Sequence, residues 1–163
     1  MSAVDHLGTY LNDHLGGASA GVETARQFEK AVRDTPYAAA LGPIAKDIED
    51  DLETLRGLVD EVGAGQNPVK QAVGWVVEKA HRLGVHERMA GSRDLSLLLQ
   101  ADSLALGVDG KLALWLALME VVSVHPQLTT VDLPALAERA RDQRRRLEVA
   151  RLGAARAAFT SDD

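Results

Sequence analysis

The chain contains no cysteine. Disulfides, thiolate metal ligands and a thiol nucleophile are thereby excluded, and the absence fits a reducing compartment, so a cytoplasmic location is expected. Basic charge is in deficit as well. The formal net charge is −6, and without a positive field nothing draws phosphate to the surface, so no nucleic-acid partner is expected. No run of about 18 apolar residues occurs, so no membrane span is expected. The opening Met1-Ser2-Ala3-Val4-Asp5-His6 lacks the basic-then-apolar layout of a secretory signal. Aromatic residues make up only 4%. Their scarcity beside abundant Ala and Leu favours helices over sheets. Also missing are His-Glu-x-x-His and a glycine-rich phosphate loop, and the one Gly-x-Ser-x-Gly string, Gly17-Ala18-Ser19-Ala20-Gly21, stands within a helical stripe and not at the strand-to-helix turn that a nucleophile elbow needs.

What remains is apolar and periodic. Hydrophobic residues form 46% of 163 positions, enough for one soluble domain over residues 1–163 with a single core, frayed at Ser161-Asp162-Asp163. Arginine outnumbers lysine amid much Ala and Gly, a bias that points to a GC-rich bacterial coding sequence and says nothing of mechanism.

Apolar residues at three- and four-residue spacing mark the helices in turn. Val4, Leu7, Leu11, Leu15, Ala18, Val22, Ala25, Phe28 and Val32 predict a long first helix starting near Ser2. Gly16-Gly17 and Gly21 inside it cost roughly 1 kcal/mol each against Ala, which suggests close packing behind them. Thr35-Pro36 reads as a cap followed by proline at the first helical position. Tyr37 to Val62 carries the second stripe, ending at Gly63-Ala64-Gly65, with Gly42-Pro43 dividing it into a short entry turn and a main part. Asn67-Pro68 repeats the start signal for a third stripe, Val69 to Leu83, followed by a loop over Gly84 to Arg93. Asp94 opens a helix over Leu95–Leu106 with Gly107 as its stop. Asp109 then caps a separate segment, Leu112 to Met119, apolar on every side and so suited to burial or to a subunit contact. Val124-His125-Pro126 ends it, and Asp132 with Pro134 starts the last helix.

Placing each helix on a wheel turns four polar side chains inward. His14 lies near the centre of the first stripe, with Glu23 on the outer face. Asp51 sits at the edge of the second stripe, with Asp47 further out. Asp102 falls between Leu98 and Ala105, and Gln143 occupies a core-like position in the last helix. Four helices thus supply His14, Asp51, Asp102 and Gln143 to one interior. An unpaired buried carboxylate is too costly to tolerate, so the expected arrangement is a buried hydrogen-bond network, with Lys79 as a counter-charge. The other reading is a metal site, since His14, Asp51 and Asp102 offer ligands suited to iron, manganese or zinc.

Other residues carry less. His81 points outward, and His86 and His125 lie in or near loops, so all three are expected at the surface. Arg139, Arg141 and Arg144-Arg145-Arg146 alternate with Glu138, Asp142 and Glu148, the pattern of a salt-laced exposed face. An anion or acidic-partner surface is the other reading of the same residues. Trp75 and Trp115 are expected as core or interface anchors.

The long first helix with Leu11-Asn12, the acidic run Ile48-Glu49-Asp50-Asp51-Leu52-Glu53-Thr54-Leu55 and the antiparallel layout resemble the ferritin-like helical superfamily. The whole chain is similar to actinobacterial proteins of about this length that lack a complete di-iron motif. The resemblance implies an all-α, up-and-down, ferritin-like four-helix bundle with additional short helices, and an acidic second helix of the kind that family uses for metal. A ferritin-like di-iron site takes a Glu from each of two helices and Glu-x-x-His from each of the other two. This sequence has a single Glu-x-x-His, Glu78-Lys79-Ala80-His81, where that site needs two; Ala18 or Ser19 stands where the first ligand Glu belongs, and the last helix turns Gln143 inward.

The expected function is that of a non-catalytic helical protein acting through protein contacts, with a homodimer formed through Leu112 to Met119. A degenerate metal-binding bundle is one alternative. A binder of small apolar ligands, using a pocket beside the glycine-rich first helix, is the other.

Overall fold

The structure, a computed structural model, describes residues 3–65 and 91–160. They form α1 (Ala3–Ala31), the short α2 (Ala38–Leu41), α3 (Ile44–Glu61), α4 (Arg93–Val121), a 3-10 turn (Pro126–Thr130) and α5 (Leu133–Thr160). The protein is all-helical, with no strand among the described residues. Ser2, Asn67-Pro68, the third stripe, Trp75, Lys79, His81, His86 and Ser161-Asp162-Asp163 lie outside the described residues, as does the expected loop up to residue 90.

α1 buries Leu7, Leu11, Leu15, Val22, Ala25 and Phe28 along one face, as a 3.6-residue period requires. Thr35 does not cap α2. Its hydroxyl donates back to the Val32 carbonyl at 2.6 Å, closing the chain after α1. α2 starts three residues later, from Tyr37, with no side-chain cap. The stiff ring of Pro43 and the positive φ of 54° at Gly42 then separate α2 from α3. α3 ends where Gly63 adopts φ 69°. There the N–H groups of Gly63 and Ala64 donate to the carbonyls of Asp60 and Val59, at 2.9 and 3.2 Å.

α4 departs from the expected pair of elements. Arg93–Val121 is one helix of 29 residues, capped by Ser92, whose hydroxyl accepts from Leu95 N at 3.1 Å. Gly107 does not stop it and Asp109 does not cap it. A terminal glycine works by entering the left-handed region, and Gly107 has no positive φ. The burial of Leu104, Ala105, Val108, Leu114 and Trp115 runs straight through the weak positions and outweighs their propensity. Asp132, by contrast, does cap α5, accepting from Ala135 N at 2.9 Å.

Side-chain pairings fix the helix directions. Arg26 meets Glu49 near one end of the α1–α3 pair and Gly8 meets Ala64 at the other, so α1 and α3 are antiparallel. Asp51 meets Gln143 while Asp47 meets Arg146, so α5 runs opposite to α3. Lys111 meets Gln143 while Asp102 meets Arg151, so α5 also runs opposite to α4. α3 and α4 therefore point the same way, and Arg93 donates to the Ala31 carbonyl at 3.1 Å, placing the start of α4 at the end of α1. One hydrophobic cluster draws on every described helix and on Leu128 of the 3-10 turn.

Candidate functional site

α3 carries Asp47, Asp50 and Asp51 on adjoining turns, and the helical stripe of Ile48, Leu52 and Leu55 draws Asp51 inward. Asp51 is only 2% exposed, so its charge has to be met by donors within the protein. Lys111 of α4 donates from Nζ to Asp51 Oδ2 at 2.5 Å. Gln143 of α5, fully buried, donates from Nε2 to the same oxygen at 2.9 Å. Arg139, one turn earlier on α5, donates from its guanidinium to Oδ1. Lys111 Nζ also donates to Gln143 Oε1 at 2.5 Å, so both ends of the Gln143 amide are occupied. Three helices are pinned together by a single carboxylate. Burial pushes the Lys111 ammonium pKa below its usual value, while the charge of Asp51 opposes the shift.

A second layer lies one turn away. The Arg146 guanidinium donates to Asp47 and, at 2.7 Å, to the Leu41 carbonyl at the end of α2. Its Nε lies 2.9 Å from Asp142. Along the α4–α5 contact, Arg144 reaches Asp109 at 3.4 Å and Glu148 at 2.5 Å, and Arg151 reaches Glu148 at 2.7 Å. Held by Arg151 and Arg144, the Glu148 carboxyl is drawn down to about 2. Fully buried Trp115 finds no acceptor for its indole N–H among the described residues.

Of the four residues expected to meet, the structure joins two, Asp51 and Gln143. His14 is half-buried on α1 and packs edge-on against Tyr10, with ring centroids 4.7 Å apart. Burial lowers the His14 pKa, against the opposing charge of Asp13. Asp102 is 45% exposed and pairs with Arg151 at 3.4 Å, on the rim of the α4–α5 contact. His14 and Asp102 thus stand apart from the network. The reason is geometric: the buried face of early α4 is centred on Leu97, Ala101, Leu104 and Val108 with Leu98 and Ala105 at its edge, and Asp102 lies one step further round, toward α5 and solvent.

Local sequence signals miss Lys111 and Arg139. Asp109-Gly110-Lys111 has the chemistry of a helix start, yet Leu104, Val108, Lys111, Trp115 and Leu118 follow one another at spacings of four, three, four and three. Carried through Gly107 and Gly110, that stripe places Lys111 inside. Arg139 belongs by sequence to a cluster expected at the surface, and the cluster divides. Arg141 and Arg145 remain outside with Glu138, whereas Arg139 and Arg146 turn toward α3. Position 139 borders the stripe of Leu136, Ala140 and Gln143, and a long side chain at such an edge buries its stem while its head reaches inward.

The donors gathered at Asp51 do not fit iron, manganese or zinc. Among the described residues no three His, Asp or Glu side chains gather as metal ligands do. Both oxygens of Asp51 face cationic donors, and a metal ion there would have to displace Lys111 or Arg139. The segment from Leu112 to Met119 puts Leu114, Trp115 and Leu118 into the chain's own core and leaves Leu116 and Met119 at the surface, so it is apolar around its circumference but buried on one side. No helix among the described residues is long and apolar enough to cross a membrane. No family model, curated protein or solved structure matches the chain.

Proposed function

We propose that this protein is a soluble, non-catalytic helical bundle of ferritin-like connectivity, acting through the outer faces of its helices, with a second copy of itself as partner. The carrying observation is the engagement of both Asp51 oxygens. They accept from Lys111, Arg139 and Gln143, so the carboxylate ties helices together and its charge is met by two cations of the chain itself. The connectivity is supported by the antiparallel α1–α3, α3–α5 and α4–α5 pairs, which fit the layout of a helix bundle. An internal ion network that ties three helices through one carboxylate fits a scaffold's role. Support for a contact function comes from large apolar side chains left outside: Leu106, Val149, Leu152 and Phe159 are 66%, 54%, 46% and 72% exposed. The absence of cysteine fits a cytoplasmic setting.

Elemental analysis of protein purified without chelator tests the reading. Iron, manganese and zinc are expected well below one ion per chain. One equivalent of any of them, retained through gel filtration, would overturn it.

A further inference from the structure

α5 carries two stripes. The inner one, through Ala140, Gln143, Leu147, Ala150 and Ala154, is buried in the core. On the opposite side, Asp142, Arg145, Val149, Leu152, Arg156 and Phe159 follow one another at spacings of three, four, three, four and three. That is the 3.5-residue repeat of a coiled-coil seam, and Glu138 extends it by one more step. Every member from Arg145 onward is exposed, and Asp142 is half-exposed. A helix needs only one such stripe to fold against its neighbours. Among the described residues the fold leaves the outer seam uncovered.

We propose that this seam docks on the same seam of a second copy of the chain, with the two α5 helices antiparallel and crossing at Val149. The inference rests on the proposed role of a protein that works through contacts. Charge order along the seam selects both the occupant and its direction. Acidic positions, Glu138 and Asp142, lie at the N-terminal end; Arg156 and Phe159 lie at the other, with Val149 and Leu152 between. Parallel pairing would set Asp142 against Asp142, Arg145 against Arg145 and Arg156 against Arg156, at a cost in like-charge repulsion. Antiparallel pairing centred on Val149 sets Asp142 of one copy level with Arg156 of the other, twice by symmetry. It also gathers Val149 and Leu152 of both copies at the two-fold axis and opposes the helix dipoles. Arg145 keeps its own Glu138 and Asp142 as neighbours. An arrangement in which one patch meets itself needs this self-complementary order, acidic at one end and basic at the other. The centre is apolar and the rim is charged, the usual anatomy of a specific contact.

Full-length protein is the material for the test, and its lack of cysteine makes single-cysteine variants clean probes. Sedimentation through a micromolar dilution series is expected to show a monomer–dimer equilibrium. Leu152→Glu is expected to weaken it by about tenfold or more, with the far-UV circular dichroism of the parent. Val149→Glu replaces it where helicity is lost. Val149→Cys is expected to link to itself through a short thiol cross-linker. Phe159→Cys is not, because two such positions sit about 30 Å apart along an antiparallel pair at 1.5 Å per residue. A mixture of Asp142→Cys and Arg156→Cys is expected to give the mixed dimer. A parent that stays monomeric, a Leu152→Glu variant that dimerises as the parent does, or self-linking at Phe159→Cys each overturns the proposal. A metal-free monomer would leave the non-catalytic reading standing, whereas a metal-loaded chain would overturn that reading whatever its sedimentation.

Discussion

One carboxylate held by two cations makes the loss of either sign unequal. Asp51→Leu leaves Lys111 and Arg139 buried or half-buried beside each other without their shared counter-ion, and is expected to cost about 3 kcal/mol or more. Lys111→Met removes one cation and leaves Asp51 with Arg139 and Gln143, at an expected cost of about 1 kcal/mol. Urea unfolding at unchanged m-value measures both; equal losses would show that the network is not organised around Asp51. His14 supplies the second residue-scale prediction. Its folded pKa lies below the ordinary 6.5 because burial disfavours the imidazolium. The unfolded chain therefore takes up the proton first. Above about pH 6.5 the residue costs nothing; stability then drops as pH falls, and the loss is complete once the pH is below the folded pKa. His14→Gln is expected to flatten the urea midpoint between about pH 7 and pH 5. A variant with the parent's slope over that range would contradict the assignment.

Among elements, two glycines of α1 behave oppositely although both sit inside a helix. A Cβ built on Gly8 would lie 2.6 Å from the Cβ of Ala64, and neither carbon has a rotamer through which to move away. Gly8→Ala is expected to force α1 from the end of α3 and lower stability by about 1 kcal/mol or more, despite the better helix propensity. A Cβ built on Gly21 meets nothing within 4 Å among the described residues, so Gly21→Ala is expected to add up to about 1 kcal/mol. Thermal unfolding of the two variants should move in opposite directions. Small residues in the first helix predict close approach, and Gly8 is a position that uses it, through a contact that depends on where the α3 terminus arrives. The division at Gly42-Pro43, the stop at Gly63 and the Asp132 cap were legible because each acts within a few residues of itself. α4 was not. Gly107, Asp109 and Gly110 are poor helix formers locally, and only burial against α5 over the whole length decides for one continuous helix.

At the scale of the molecule, the helices are tied through polar groups as well as through the apolar core. Asp51 joins α3 to α4 and α5, Arg146 joins α5 to α2 and α3, and Arg151 joins α5 to Asp102 of α4. α5 is the common member of these pairs, and the proposed dimer seam uses the side of α5 opposite its buried stripe. Asp51 and Gln143 could be placed inward from their own helices alone. Their partners Lys111 and Arg139 could not, since neither the continuity of α4 nor the reach of a stripe-edge arginine is a local property. The all-helical class, most of the apolar stripes and several of the breaks are written in the sequence, because propensity, periodicity and capping are settled over one or two turns. Which polar side chains meet is a property of the assembled fold. It depends on the rotation and level of helices distant in the chain, and an ion pair forms or fails over a displacement smaller than one helical turn.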